Sequence, residues 1–329
     1  MLIENSPNLF IKGKPSVFGY AYLGDINYNI EDAKIPPFRL KEWDFYQVTN
    51  RKFSFYAIIG HVSYATSINC TLFELETGKT IYAGKLVPFK KVKMDSNASR
   101  DSVVLYQDKD YKMEFRKEKG TRYIKMEAIH KEYGKCSVDI KLEETVKDNI
   151  LVCTPFKKVK HFYLNQKACL LKASGEATFG SNHYNFDDSF GLMDWGRGYL
   201  PFKHTWIWGS GSGIVDGIKF GFNIGSFGNN ENGSENIFFY DDKSYKMDKV
   251  DITFNKDNPM EEWHYRSNDN RFVFTMKPIY DNHTKTKLLW VNNECHQVFG
   301  LFNGYITLND KKIEINDFLA FTENAHNRW

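Results

Sequence analysis

The stretch WDFYQVTNRKFSFYAIIG, Trp43–Gly60, has a second version of itself 165 residues later, in WGSGSGIVDGIKFGFNIG, Trp208–Gly225. At that offset Trp43 falls on Trp208, Phe55 on Phe220, Ile59 on Ile224 and Gly60 on Gly225 without a gap, and Phe73 on Phe238 and Phe89 on Phe254 extend the match. FSFYAIIGHV, Phe53–Val62, is aromatic and β-branched and too short for an amphipathic helix, so it reads as a strand. A repeat built on strands predicts two related β-units. We expect the first to span 1–165 and the second 166–329, with the seam beside the basic, proline-containing segment CTPFKKVKHFYL. The first copy carries extra residues, KVKMDSNASRD, that the second lacks.

The rest of the chain agrees with an all-β reading. Hairpin signatures surround Glu76-Thr77-Gly78, Lys119-Gly120, Asn268-Asp269-Asn270 and Asn309-Asp310. No long segment has helical periodicity. Short hairpins at this spacing suggest tandem antiparallel β-barrel or sandwich units with few short helices.

Composition narrows the function classes. The 329 residues are 42% hydrophobic, with 27 Phe and 19 Tyr, enough for a large aromatic core. The net charge is +3, with basic and acidic residues interspersed, which argues against a nucleic-acid surface. Five cysteines, Cys70, Cys136, Cys153, Cys169 and Cys295, are odd in number and far apart, which predicts neither disulfides nor structural zinc. No basic-then-apolar leader and no membrane-length apolar run are visible, so a cytoplasmic location is expected.

Chemistry concentrates in MDWGRGYLPFKHTWIWGSGSG, Met193–Gly213. Asp194 beside Trp195 reads as a carboxyl against an indole, where poor hydration would favour its protonated form and make it a general acid. Arg197, three residues on, is its tuning partner or a structural ion-pair partner. His204 has an ordinary pKa suited to proton transfer at neutral pH. His204, Trp206 and Trp208 share one strand face, and Trp195, Trp206 and Trp208 read as the residues that hold the substrate. The following GSGSG reads as a small-residue opening lined by Ser210 and Ser212; it lacks the spacing of a phosphate loop or a dinucleotide fingerprint. Glu235 is the candidate second carboxylate, and Asn236 and Gln297 the candidate polar liners. No metal is expected: the histidines lack ligand spacing, and His183 with Asp187 and Asp188 is a poor patch.

Taken together, DWGRGYLP, WIWGSGSG, FGNNENGSEN, HQVFGLFNG and the terminal ENAHNRW resemble the DUF2804 family, over most of the chain and most densely from about Asp188 onward. More distantly, the D-W-G and W-x-W-G pieces resemble the carotenoid 1,2-hydratase and AttH-like group. That resemblance implies two lipocalin-like barrels in tandem, and relatives that hydrate double bonds or guide cyclisation of apolar polyenes or polyketides. The expectation is a cofactor-independent acid/base enzyme for an apolar small molecule such as a lipid or terpenoid. The alternatives are a non-catalytic carrier of a hydrophobic ligand and a carbohydrate-active β-sandwich.

Overall fold

The computed structural model describes residues 2–328 apart from 5–7, 23–27, 37, 63, 90, 159, 227–233 and 289–290. The protein is all-β: among the described residues a single 3-10 turn, Ile30–Ala33, interrupts a series of antiparallel strands. Among the described residues no helix is long and apolar enough to cross a membrane. The chain separates into two compact units, Met1–Leu200 and Pro201–Trp329, each a curled lipocalin-like sheet.

The two units follow one path. In the first, neighbouring strands run Thr80–Pro88, Ala65–Glu74, Phe53–His61, Leu40–Thr49, Phe190–Tyr199, Phe162–Phe179, Gly134–Glu144, Thr121–His130, Tyr111–Glu118 and Ser102–Gln107. In the second they run Lys243–Lys246, Ile237–Tyr240, Ile218–Ser226, Lys203–Val215, Lys311–Arg328, Val291–Leu308, Phe272–Leu288, Trp263–Ser267 and Val250–Thr253. Each is a meander whose last strand returns to pair with its first. The expected seam at 165/166 falls inside Phe162–Phe179. That strand pairs with Gly134–Glu144 and Phe190–Tyr199, so it stays with the first unit, which ends at Leu200.

The repeat is real in register and limited in extent. Trp43 lies opposite Gly60, and Trp208 opposite Gly225, so the first hairpins are superimposable residue for residue. The match slips at the third strand, where Phe73 pairs with Ser54 but Phe238 with Phe222. Phe89 and Phe254 are not counterparts: Phe89 is 85% exposed, while Phe254 stacks on Trp263 at 3.8 Å. The four expected hairpins all form. Lys119-Gly120 and Asn309-Asp310 have positive φ at both positions, the handedness that two-residue turns between twisted strands require.

GSGSG is strand interior and not an opening. It lies inside Lys203–Val215, where alternation sends Gly209, Gly211 and Gly213 to the core face and Ser210 and Ser212 to the other. A Cβ on Gly211 would meet Ala320 and the rings of Phe318 and Phe222 inside van der Waals contact. The glycines are therefore the floor on which aromatic rings lie. The second unit's core is largely phenylalanine, with Phe220, Phe222, Phe272, Phe274, Phe302 and Phe318. The first unit's is mostly aliphatic, including Val48, Ile59, Ile68, Ile124 and Ile140. None of the five cysteines is in a disulfide.

Candidate functional site

Strand alternation overturns the expected pairing of Asp194 with Trp195. Adjacent residues on Phe190–Tyr199 face opposite ways, and so do Asp194 and Arg197, three apart. Trp195 and Arg197 point into the first unit. Asp194 points away from its core, where its Oδ1 meets Lys167 Nζ at 2.8 Å and accepts from the Tyr163 hydroxyl at 3.5 Å. Tyr163 in turn stacks on Trp43 at 5.4 Å. Asp194 is thus one half of a buried ion pair, not a lone acid walled by indoles.

Arg197 is the hub of a different cluster. It is wholly buried, and its guanidinium donates to Asp44 Oδ1 at 2.8 Å, Asp95 Oδ1 at 2.6 Å and the carbonyls of Trp43 at 2.7 Å and Gly196 at 2.9 Å. Glu42 lies 3.7 Å away, and the Trp195 ring packs against the guanidinium at 4.2 Å. The Trp195 N–H donates to Asp95 Oδ1 at 2.5 Å. Three carboxyls share one arginine. Burial pushes Asp44 up to about 7, with Asp95 and Glu42 adding to the rise and Arg197 opposing it. Burial likewise raises Glu42 and the Tyr28 phenol.

Asp95 comes from KVKMDSNASRD, the extra residues of the first copy. Val92, Asn97 and Ala98 of this segment are buried, and the Ala98 carbonyl accepts from Lys117 at 3.1 Å and Arg122 at 3.3 Å. The insertion folds into the first unit's interior and supplies Arg197 with its nearest carboxylate.

In the second unit the expected residues converge on one that sequence reading did not single out. Trp206 and Trp208 lie on the strand face away from the phenylalanine core, and register sets Glu323 directly across from Trp208. Glu323 Oε2 accepts from the Trp206 indole N–H at 3.2 Å, and Oε1 from Gln297 Nε2 at 2.9 Å. Trp208 donates its indole N–H to Asn223 Oδ1 at 2.7 Å and meets Phe321 edge-on at 5.1 Å. Asn223 donates to the Glu235 carbonyl at 3.0 Å, and Asn236 Oδ1 accepts from the Gly225 amide at 2.7 Å. The Glu235 carboxyl packs on Gly225, the residue across from Trp208.

His204 lies on the same face, 5.7 Å from Trp206. Burial lowers it to about 4, so it is a neutral imidazole at pH 7 and not the proton shuttle expected. Burial also brings Lys246, near Glu235, down to about 8. Ser210 spends its hydroxyl on the Phe222 carbonyl at 2.8 Å, and Ser212 is a partly buried neighbour on the same face. Trp206, Trp208, Glu235, Asn236, Gln297 and His204 are therefore gathered in one unit, while Asp194 and Arg197 belong to separate faces of the other. The carboxylates that reading along the chain missed had a faint signal: Glu42 and Asp44 flank Trp43 inside an aromatic strand, and Glu323 sits in the terminal ENAHNRW.

The family model for the domain of unknown function DUF2804 matches residues 2–329. The chain belongs to this family. No curated protein matches the sequence significantly. Among solved structures, an AttH-like protein from Nitrosomonas europaea is similar with a TM-score of 0.52 at 12% identity, over 87% of this chain and 92% of that one. Kievitone hydratase from Nectria haematococca aligns over 88% of both chains at 11% identity, with a TM-score of 0.49. At such identities the AttH-like match is a likeness of fold, and it places this DUF2804 chain among tandem lipocalin-like structures.

Proposed function

We propose that this DUF2804 chain is an acid–base enzyme of the hydratase, isomerase, lyase or cyclase type acting on an apolar small molecule such as a lipid or terpenoid. The face of the second unit around Glu323 is its reaction surface. One observation carries the reading: the two oxygens of a single carboxyl are held by an indole and an amide, beside a second indole and a phenylalanine ring. Neutral N–H donors fix the direction of the carboxyl, which is what a proton-transferring group needs. Trp206 and Trp208 offer flat apolar walls, and their π faces favour a developing cation when a double bond is protonated. Glu235, against Gly225, is the second carboxylate, and Asn236 and Gln297 orient the polar end of the substrate. The chemistry in this reading uses side chains alone. Proton transfer contributes about 10²–10⁴-fold, and orientation of the substrate supplies more.

The test is Glu323→Gln, which keeps the shape of the side chain. Apolar alkenes and a lipid extract of the producing cell are incubated with both proteins, and products are followed by mass spectrometry. The expected result is loss of conversion by about 10²-fold or more, with ligand-induced quenching of tryptophan fluorescence retained. Conversion that survives the substitution removes Glu323 from the chemistry. Quenching by apolar ligands without any conversion by either protein replaces the enzyme with a carrier. Stabilisation by a soluble glycan and not by apolar compounds would favour a carbohydrate-binding role.

A further inference from the structure

The second unit's strands Phe272–Leu288 and Val291–Leu308 form a long hairpin whose register places His283 directly opposite His296 and Lys285 opposite Glu294. Asp281, His283, Glu294 and His296 sit at even spacings, so all four share one face. The two imidazoles stack in parallel with centroids 4.0 Å apart. One ligand atom from each of His283, Glu294 and His296 lies within 4.8 Å of the others. His296 Nδ1 is 2.7 Å from Asp281 Oδ2, and Asp281 Oδ1 is buried with no hydrogen-bond partner among the described residues. A histidine that gives its Nδ1 proton to a carboxylate presents a bare Nε2 lone pair, the arrangement by which a carboxylate orients a metal-binding histidine.

We propose that this hairpin binds a divalent transition-metal ion, zinc by preference, through His283, His296 and Glu294, with Asp281 as the positioning residue for His296. Two imidazoles and one carboxylate select zinc-like ions over magnesium or calcium, which want all-oxygen shells. Zinc at about 2.0–2.1 Å from each ligand needs donors roughly 3.3 Å apart, a closure that side-chain rotation supplies. The ligands are partly exposed, His283 at 43%, Glu294 at 29% and His296 at 23%, so an ion reaches them and a fourth position stays open to water. Lys285 Nζ now sits 3.0 Å from Glu294 Oε1. It is a monovalent stand-in on a flexible, half-exposed stem, and a metal ion displaces it. The site is separate from the Glu323 surface, because His296 and Gln297 are adjacent and face opposite sides of the sheet.

Zinc chloride is titrated into the full chain by calorimetry, with cobalt(II) as a spectroscopic probe and melting temperature as a second readout. We expect one-to-one binding and a higher melting temperature with zinc. His283→Ala and His296→Ala each lose affinity by 100-fold or more while their metal-free melting temperatures stay near the parent's. Asp281→Asn weakens binding about 10–100-fold. Lys285→Gln, which leaves all ligands in place, binds zinc more tightly. Absence of zinc binding, or binding that persists in the His283→Ala/His296→Ala double variant, overturns the proposal. An unchanged affinity in Lys285→Gln overturns it as well, since that lysine must leave for the ion to bind.

Discussion

At its own strand closure, each unit places charge on a different face of the sheet. Where the last strand meets the first, the register Glu42↔Arg197, Trp43↔Gly196, Asp44↔Trp195 in the first unit corresponds to Ile207↔Asn324, Trp208↔Glu323, Gly209↔Thr322 in the second. The first unit turns an arginine and two acids inward and leaves a glycine under its tryptophan. The second turns isoleucine, glycine and threonine inward and sets a glutamate beside its tryptophan on the outer face. The interiors follow suit. Residues 91–101 bring Asp95 and polar backbone into the first, while phenylalanine rings fill the second. One scaffold thus yields a unit organised around a buried ion cluster and another with a partly buried carboxyl held by an indole and an amide. A functional residue cannot be carried from one to the other by the repeat.

The sharpest way to break this comparison is Arg197→Met. It strands Asp44, Asp95 and Glu42 in a buried site without their cation, and urea denaturation should show a loss of about 3–5 kcal/mol or failure to fold. Asn324→Met, at the matching place in the second unit, should stay within about 0.5 kcal/mol. Equal losses would mean that the ion cluster is not what organises the first unit.

Next in size is a pH effect. Asp44 releases its proton near 3.9 in the unfolded chain and near 7 in the fold. The folded state therefore holds more protons between those values, and stability falls as pH rises from about 4 to about 7, by at most roughly 1.4 kcal/mol per pH unit for this one group. Asp44→Asn keeps an acceptor for Arg197 and should flatten that part of the profile, as read from chemical denaturation at a series of pH values. A profile that keeps its slope would place the proton elsewhere.

The smallest effect separates two glycines. A Cβ on Gly196 would enter the Trp43 ring, whereas one on Gly225 would press on the end of the Glu235 side chain, which can swing away. Gly196→Ala should cost about 1–3 kcal/mol by overpacking, and Gly225→Ala clearly less. In the Glu323→Gln assay, Gly225→Ala should still perturb turnover, because Glu235 must move.

Much of the fold was legible along the chain. Turn chemistry at Lys119-Gly120 and Asn309-Asp310 is local, so reading it needs no partner strand. The gap-free offset from Trp43 to Gly60 located the equivalent hairpins because register within a hairpin depends on few residues. Among the second-unit candidates, Trp206, Trp208 and Gln297 lie on strand faces whose sense follows from alternation, whereas Glu235 and Asn236 precede the strand Ile237–Tyr240 and have no such pattern. What failed was adjacency. Asp194 and Trp195 are neighbours in sequence and strangers in space, and GSGSG, which looks like a flexible mouth, is paved over by Phe318 and Phe222.

The sequence by itself determined an all-β chain, a tandem repeat, a DUF2804 membership and a set of aromatic strand faces. The all-β class, the repeat and the strand faces reside in composition, turns and period-two patterning, which act over a few residues; the family resemblance rests on the motifs from DWGRGYLP to ENAHNRW. Only the tertiary structure decided that Arg197 belongs to Asp44 and Asp95, that Lys167 belongs to Asp194, and that Glu323 is held by Trp206 and Gln297. Arg197 meets Asp44, and Glu323 meets Trp206, where the last strand of each unit pairs with its first; Asp95 arrives on an inserted segment; Lys167–Asp194 and Gln297–Glu323 face each other across neighbouring antiparallel strands. Partners chosen across such separations leave no periodic mark in the chain.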